Sequence, residues 1–188
     1  MPRKARPSRD ARKLRQVTVL FTDLDRFLTW SRHLSLGELA EFMDLYYRDA
    51  GLIVRKFGGT VDKFIGDSVM AIFNAPEPLR NAERRAVQAA IALRARLSER
   101  WPDLRMSVGV ATGKGIVGSF GPSFHRTYTA FGDVVNRAYL LERQSSRTDF
   151  KILLDAPTFK HLGVGIPARK HARIDPNLVR DGAPIFEI

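Results

Sequence analysis

The sequence predicts a mixed α/β fold of the α+β type, with a ferredoxin-like βαββαβ core and additional strands and helices. Short β-branched and aromatic runs alternate with amphipathic helical segments, and two of the strand runs are joined by a tight turn. A hydrophobic content of 44% in 188 residues suits one domain with a substantial core. We expect a basic tail or linker over residues 1–16 and one domain over residues 17–188.

The first elements along the chain are a strand, a helix, a hairpin and a second helix. Their ranges are Val17–Thr22, Leu36–Phe57, Thr60–Phe64 with Ser68–Phe73, and Ala82–Arg100. A capping box of Ser35 and Glu38 opens the first helix, and Gly58 and Gly59 end it. The hairpin turn places Asp67 at its tip.

The order of elements is completed by a strand pair that turns at Gly113 and Gly115. A return strand, a helix and three short elements follow it. Their ranges are Leu104–Ala111 with Ile116–Ser119, Arg126–Ala130, Asp133–Ser145, Lys151–Leu154, Pro157–His161 and Ile185–Ile188.

Composition excludes several classes of protein. The chain has no cysteine, so disulfides and thiolate metal sites are excluded, and a hard cation held by oxygen ligands is favoured. No apolar run approaches the ~20 residues of a spanning helix, and the N-terminus lacks the apolar core of a signal peptide. We therefore expect a soluble, cytoplasmic domain.

The net charge of +11 is unevenly distributed, because seven basic residues against Asp10 put +6 on residues 1–16. No aromatic residue lies among them to stack on bases, so a nucleic-acid-binding module is disfavoured. A solvated leader or linker is the favoured interpretation of this tail, and contact with a membrane surface or nucleic acid is the alternative.

Asp23 and Asp67 each lie where a predicted strand ends. Two carboxylates from adjacent strand ends would bind one or two divalent cations, which neutralise a triphosphate. Taken alone, each aspartate is more often a turn former or a helix cap.

Four runs in order give this pair a context. They are VTVLFTDLDRF, VDKFIGDSVMAIF, MSVGVATGKGIVGSFG and YTAFGDVVNRAYLLE. Together they resemble the catalytic domain of class III adenylyl and guanylyl cyclases, from about Val17 to Ile188. The resemblance implies Asp23, Asp67 and the carbonyl of Leu24 as ligands of two Mg²⁺ or Mn²⁺ ions.

The resemblance also implies how the base is read. Lys63 matches the lysine that reads the purine, and Thr129 stands where many family members have an aspartate, as in the subgroup called class IIIb. A threonine hydroxyl accepts from the adenine amino group while Lys63 donates to a ring nitrogen, which implies ATP as substrate. Members of this subgroup are often stimulated by bicarbonate, which makes it an effector to test.

Asn136 matches the asparagine that orients the ribose. The implied reaction is attack of the ribose 3′ oxygen on the α-phosphorus, with release of pyrophosphate and formation of cyclic AMP. Four residues later the family has an arginine for the transition state, where this chain has Leu140. Losing such a donor costs on the order of 10²- to 10³-fold in rate. Arg137 and Arg143 are candidates to reach the same phosphate.

Two further departures concern the phosphates. Arg26 stands where the family usually has a glycine and either assists binding or obstructs it, and the resemblance places Arg26 and Phe27 against the substrate. The lysine that usually contacts the triphosphate aligns with Asn177, with Arg169, Lys170, Arg173 and Arg180 as possible replacements.

Each site in the family is built across a two-fold dimer, so we expect a homodimer, or a heterodimer in which another chain brings the arginine. The rival to an active cyclase is a degenerate domain that binds nucleotide or dimerises without efficient turnover. A cyclase for another nucleotide is a third hypothesis, and Lys63 and Thr129 argue against it.

Overall fold

The computed structural model describes residues 11–149, 151–171 and 183–188, and the fold is given for these ranges. The strands are β1 (Lys13–Leu24), β2 (Thr60–Ile65), β3 (Ser68–Phe73), β4 (Met106–Phe120), β5 (Thr127–Phe131), β6 (Ile152–Asp155), β7 (Arg169–Lys170) and β8 (Ile185–Glu187). The helices are α1 (Phe27–Ser31), α2 (Leu36–Lys56), α3 (Ala82–Arg100), α4 (Asp133–Ser145) and α5 (Ala156–Lys160).

One sheet holds all eight strands in the order β2-β3-β1-β4-β6-β8-β7, with β5 added to β4. The core β2-β3-β1-β4 is antiparallel throughout, whereas β4 and β6 run parallel. The predicted βαββαβ order is confirmed, with β5 to β8 as the additional strands.

Strand β1 is longer than predicted at both ends. Pairing with β4 extends from Lys13 opposite Val117 to Leu24 opposite Met106. Residues 13–16, assigned to the tail from their charge, are therefore part of the sheet, because a β-ladder is set by its partner strand and tolerates solvent-facing basic side chains.

The predicted turn at Gly113 and Gly115 is wrong. Both glycines lie inside β4, which is one strand of 15 residues. A Cβ on Gly115 would lie 3.1 Å from the carbonyl oxygen of Phe131, and one on Gly113 would lie 2.9 Å from Arg137 Nη2. These glycines allow neighbouring groups to approach the strand closely, which is the other common reason for glycine in a sheet.

Helices cover both faces of the sheet. On one face α2 and α3 pack on the even-numbered apolar residues of β1, Leu20 and Leu24. On the other face α4 packs on the odd-numbered residues, Val17 and Val19, and on β4 and β6. This alternation fixes the register of β1 and brings its C-terminal end, with Asp23, beside the turn between β2 and β3.

Candidate functional site

Asp23 and Asp67 lie side by side where β1 ends and where the β2–β3 hairpin turns. Residue 22 pairs with Val69, so Asp23 faces the first residue of β3, and the Ser68 hydroxyl donates to Asp23 Oδ1. The backbone N–H of Leu24 donates to Asp67 Oδ2 over 3.2 Å. The three residues predicted as cation ligands are thus brought together by adjacent strands.

Helix α2 holds the hairpin turn from outside. The hydroxyl of Tyr46 donates to the carbonyl oxygen of Asp67 over 3.0 Å, and that of Tyr47 to the carbonyl oxygen of Gly66 over 2.6 Å. Tyr46 is buried, and burial raises the pKa of its phenol, so it stays a donor. Neither contact was predicted from the sequence, because helical periodicity marks Tyr46 only as core and does not single out Tyr47.

The electrostatics of the aspartate pair fit a cation. Burial first and the charge of Asp23 second raise the pKa of Asp67. A divalent cation between two such carboxylates relieves both the repulsion and the loss of hydration. Within the described residues no group of three or more His, Cys, Asp or Glu side chains is placed to hold a metal. The donor set here is two carboxylates and backbone oxygen, which is the hard-oxygen chemistry of Mg²⁺ and Mn²⁺.

A buried acid on α4 lies behind the pair. Glu142 contacts the hydroxyl of Ser107, which is 3.3 Å from the carbonyl oxygen of Asp23. Burial raises the pKa of Glu142 to about 7, with the charges of Asp23 and Asp67 adding to the rise. In its neutral form Glu142 donates to Ser107 Oγ, which leaves the serine proton for the Asp23 carbonyl. The sequence showed Glu142 only as a helix residue.

The outward face of α4 carries Asn136, Leu140 and Arg143. These positions share one side of a helix at 3.6 residues per turn, and the buried Val134 and Ala138 lie on the opposite side. The guanidinium of Arg143 lies 5.9 Å from the ring centroid of Tyr139 on the same exposed side. Arg143 therefore shares a face of α4 with Leu140, where the missing arginine would lie.

Arg137 points along a different side of α4. Its Nε lies 3.2 Å from Asp155 Oδ2, its Nη2 donates to the carbonyl of Thr112 over 3.0 Å, and Nη1 pairs with Asp133. These three contacts hold the guanidinium against β4 and the start of α5. The geometry therefore disfavours Arg137 as a substitute for the missing arginine.

The predicted base-reading residues lie on separate strands of this chain. Lys63 is on β2 with a partly exposed side chain, and Thr129 is buried on β5 opposite Gly118. Their joint contact with one base stays a prediction.

The two residues predicted beside the phosphates differ in exposure: Arg26 is at the surface, whereas Phe27 packs against other aromatic rings. Arg26 has φ of 53°, the left-handed conformation that glycine adopts without strain, and its side chain is 84% exposed. At the surface its Nε lies 3.8 Å from Asp25 Oδ2. The ring of Phe27 stacks on that of Phe42, with 5.6 Å between the ring centroids, so its side chain packs against the hydrophobic core. A contact of Phe27 with substrate stays a prediction.

The candidates for the triphosphate cation are only partly described. Arg169 forms an ion pair with Glu187 at 2.6 Å, and Lys170 is exposed on β7. Arg173, Asn177 and Arg180 lie outside the described residues.

Comparison with known proteins identifies the family and agrees with the fold. The family model for the adenylate and guanylate cyclase catalytic domain matches residues 10–173, which include all four of the sequence runs that carry the resemblance. The chain belongs to this family. The resemblance to class III cyclases is thereby confirmed, and both Asp23 and Asp67 lie within the matched range.

Relatives and solved structures agree with this assignment. The domain is 37% identical to "Adenylate cyclase 1" of Rhizobium meliloti over 136 residues, covering 68% of this chain and 20% of the relative. It is 30% identical to the terminal-differentiation-specific adenylate cyclase of Dictyostelium discoideum, covering 81% of this chain and 7% of the relative. The chain thus spans a fifth or less of these relatives.

Among solved structures, the adenylyl cyclase CyaB of P. aeruginosa superposes with a TM-score of 0.84 and 28% identity, covering 94% of this chain and 95% of that one. The guanylyl cyclase Cya2 superposes with a TM-score of 0.80 and 26% identity, covering 93% and 92%. In the described part of the cyclase domain, no helix combines the length and apolarity needed to cross a bilayer.

Proposed function

We propose that this cyclase domain converts ATP to 3′,5′-cyclic AMP and pyrophosphate, slowly, at a site shared by two chains. The observation that carries the proposal is the pairing of Asp23 with Asp67 beside the Leu24 backbone. Mg²⁺ or Mn²⁺ bound there would supply charge neutralisation for the triphosphate. A cytoplasmic location, where ATP and Mg²⁺ are abundant, belongs to the same proposal.

The chain's own residues then bind and orient the nucleotide. Lys63 donates to an unprotonated ring nitrogen of adenine, and Thr129 accepts from the amino group, a pattern that guanine does not match. Asn136 holds the ribose so that its 3′ oxygen lies in line with the α-phosphorus. That oxygen gives its proton to water and attacks the α-phosphorus, so that one phosphorus–oxygen bond forms while the bond to pyrophosphate breaks.

Two chains are proposed because the functional groups of one chain face different ways. The aspartate pair lies where the strands β1 and β2 end, while Asn136 and Arg143 lie on the exposed face of α4. Ile116 and Phe131 are paired across β4 and β5 and are 45% and 54% exposed, which offers apolar area for a partner. A homodimer of this chain gives two such composite sites.

Slow turnover is proposed because Leu140 supplies no donor where charge develops on the α-phosphoryl group. Arg143, one turn further on the same face, is the nearest substitute. The second candidate function also follows from Leu140. In it, the domain binds nucleotide and dimerises without efficient turnover, or it supplies the aspartates to another cyclase chain that bears the arginine.

The experiment is a product assay with the purified chain, Mn²⁺ or Mg²⁺, and each of the four nucleoside triphosphates. We expect cyclic AMP from ATP, and a loss of at least about 10²-fold in rate for Asp23→Asn and for Asp67→Asn, because each removes a cation ligand. Asp44→Asn, on the exposed side of α2, is the matched control. Tight ATP binding without pyrophosphate release would support the second candidate instead.

Leu140→Arg tests the account of slow turnover in the same assay. The variant restores a donor on the face that carries Asn136, and we expect kcat to rise by about 10- to 10²-fold. Leu36→Arg, at an exposed position of α2, controls for added charge. An unchanged kcat would show that Leu140 is not the cause of slow turnover.

The proposed effector is tested in the same assay. Bicarbonate is added in a parallel series, and stimulation of wild type supports its proposed role as effector.

A further inference from the structure

Asp62 is a buried acid next to the residue proposed to read the base. Its carboxylate has no exposed surface, and neither oxygen accepts a hydrogen bond from the described residues. The ammonium of Lys63 lies 3.0 Å from Asp62 Oδ2, close enough for an ion pair although the contact lacks the angles of a hydrogen bond. An unpaired buried carboxylate is strongly unfavourable, so this ion pair is what offsets its burial.

A β-bulge makes the contact between neighbouring residues possible. Successive side chains of a regular strand point to opposite faces, and an ion pair between residues 62 and 63 would be poorly aligned. In β2 the register with β3 shifts between Val61 and Lys63, so that Asp62 is the extra residue without a partner on β3. Bulges re-aim side chains in this way. Here the bulge turns the carboxylate of Asp62 towards the ammonium of Lys63.

The ion pair restricts the side chain of Lys63, the residue proposed to contact the base. A free lysine has a flexible four-carbon stem and loses rotamer entropy when it is fixed. Lys63 remains 39% exposed, so its ammonium keeps donors free for a ligand while one side of it is anchored on Asp62. A pre-positioned cation beside the purine favours a ring nitrogen that accepts, as in adenine, over one that carries a proton, as in guanine.

We propose that Asp62 is a positioning residue that fixes the ammonium of Lys63 and thereby sets the preference for adenine over guanine. This inference rests on the proposed function, since it assumes that Lys63 contacts the base. Asp62 touches no substrate in this proposal, and it acts only through Lys63.

The test compares ATP and GTP in wild type, Asp62→Asn and Asp62→Val. Both variants remove the charge, and valine also suits a buried strand position, so it keeps the test valid if the asparagine variant folds poorly. We expect KM for ATP to rise about tenfold with little change in kcat, and the ATP-to-GTP ratio of kcat/KM to fall about tenfold. Asp62→Glu, which retains the charge, should recover at least part of the ratio.

Binding of 3′-deoxy-ATP and 3′-deoxy-GTP, measured by calorimetry, gives the same ratio without turnover. Asp44→Asn is the control and should leave both nucleotides unaffected. A ratio that stays at the wild-type value in both charge-removing variants overturns the role of Asp62. A wild type that makes no cyclic AMP yet keeps the Asp62-dependent binding ratio overturns the proposed activity and leaves the inference standing.

Discussion

Glu142 is a buried titratable residue behind the aspartate pair, and its ionisation affects the stability of the fold. Its carboxyl is buried under α4 and joined through Ser107 to the backbone of Asp23. Burial raises its pKa from 4.5 to about 7. The folded chain therefore keeps this proton over a pH range in which the unfolded chain has released it.

The sign of the effect on stability follows from that difference. Between pH 4.5 and about 7 the folded state binds more protons than the unfolded state, so the free energy of unfolding falls as pH rises through this window. We expect a loss on the order of 2 kcal/mol, at about 1.4 kcal/mol per pKa unit with an allowance for solvent screening. Glu142→Gln should remove this loss and be more stable than wild type at pH 8.

Urea unfolding at several pH values, in the presence of a chelator, measures this prediction. Glu41→Gln, on the exposed side of α2, is the matched control and should follow the wild-type profile. A Glu142→Gln variant with the same slope as wild type between pH 5 and 7 would contradict the assigned proton.

Strand ends in the sequence pointed to the aspartate pair, whereas residues that reach the same site only through packing were missed. Asp23 and Asp67 followed from strand ends, and the structure brings them together. Glu142 and the tyrosines of α2 contact the same site through side-chain hydrogen bonds between distant segments, which no local spacing reveals. The contact that holds Arg137 away from the face of Arg143 is made by Asp155, which lies 18 residues beyond Arg137.

At the scale of elements, the close packing of α4 on the sheet depends on a glycine, because that position has no side chain between strand and helix. A Cβ on Gly109 of β4 would lie 2.2 Å from the carbonyl oxygen of Ala138 and 2.3 Å from the amide nitrogen of Glu142. Both atoms belong to the backbone of α4, so neither can move without the helix. The position of Asn136 on the opposite side of that helix therefore depends on Gly109.

Gly109→Ala should displace α4 from β4. Overpacking costs about 1–3 kcal/mol, and backbone contacts on the helix side put this site at the upper end. We expect a lower urea midpoint together with a fall in cyclase rate, because Asn136 moves with the helix. Gly51→Ala, inside α2 where an added Cβ would meet open space, should instead be neutral or stabilising. Equal stability of Gly109→Ala and wild type would disprove the close contact.

The order of elements was predictable because hydrophobic periodicity and caps are local signals. The capping box at Ser35 is present as predicted. The continuity of β4 was not predictable in the same way, since a glycine in a turn and a glycine under a helix look alike in sequence. Their difference arises only when α4 and β5 pack on the strand.

For the whole molecule, the decisive question is whether one active site is built from two chains. In a symmetric dimer each composite site takes its aspartates from one chain and its Asn136 face from the other. Variants with damage in different halves should therefore complement each other when they share a dimer. Damage in the same half should not.

Mixing Asp67→Asn with Asn136→Ala should restore cyclic AMP synthesis to about a quarter of the wild-type rate, because random reassortment makes half of the dimers mixed and each mixed dimer has one complete site of two. The control mixture, Asp23→Asn with Asp67→Asn, places both changes in the metal half and should stay inactive. Unfolding and refolding the chains together ensures exchange. Each variant alone should show little activity. If the Asp67→Asn and Asn136→Ala mixture stays as inactive as its parents while size-exclusion chromatography shows dimers, then each chain uses its own Asn136, and the shared site is wrong even if the chain is an active cyclase.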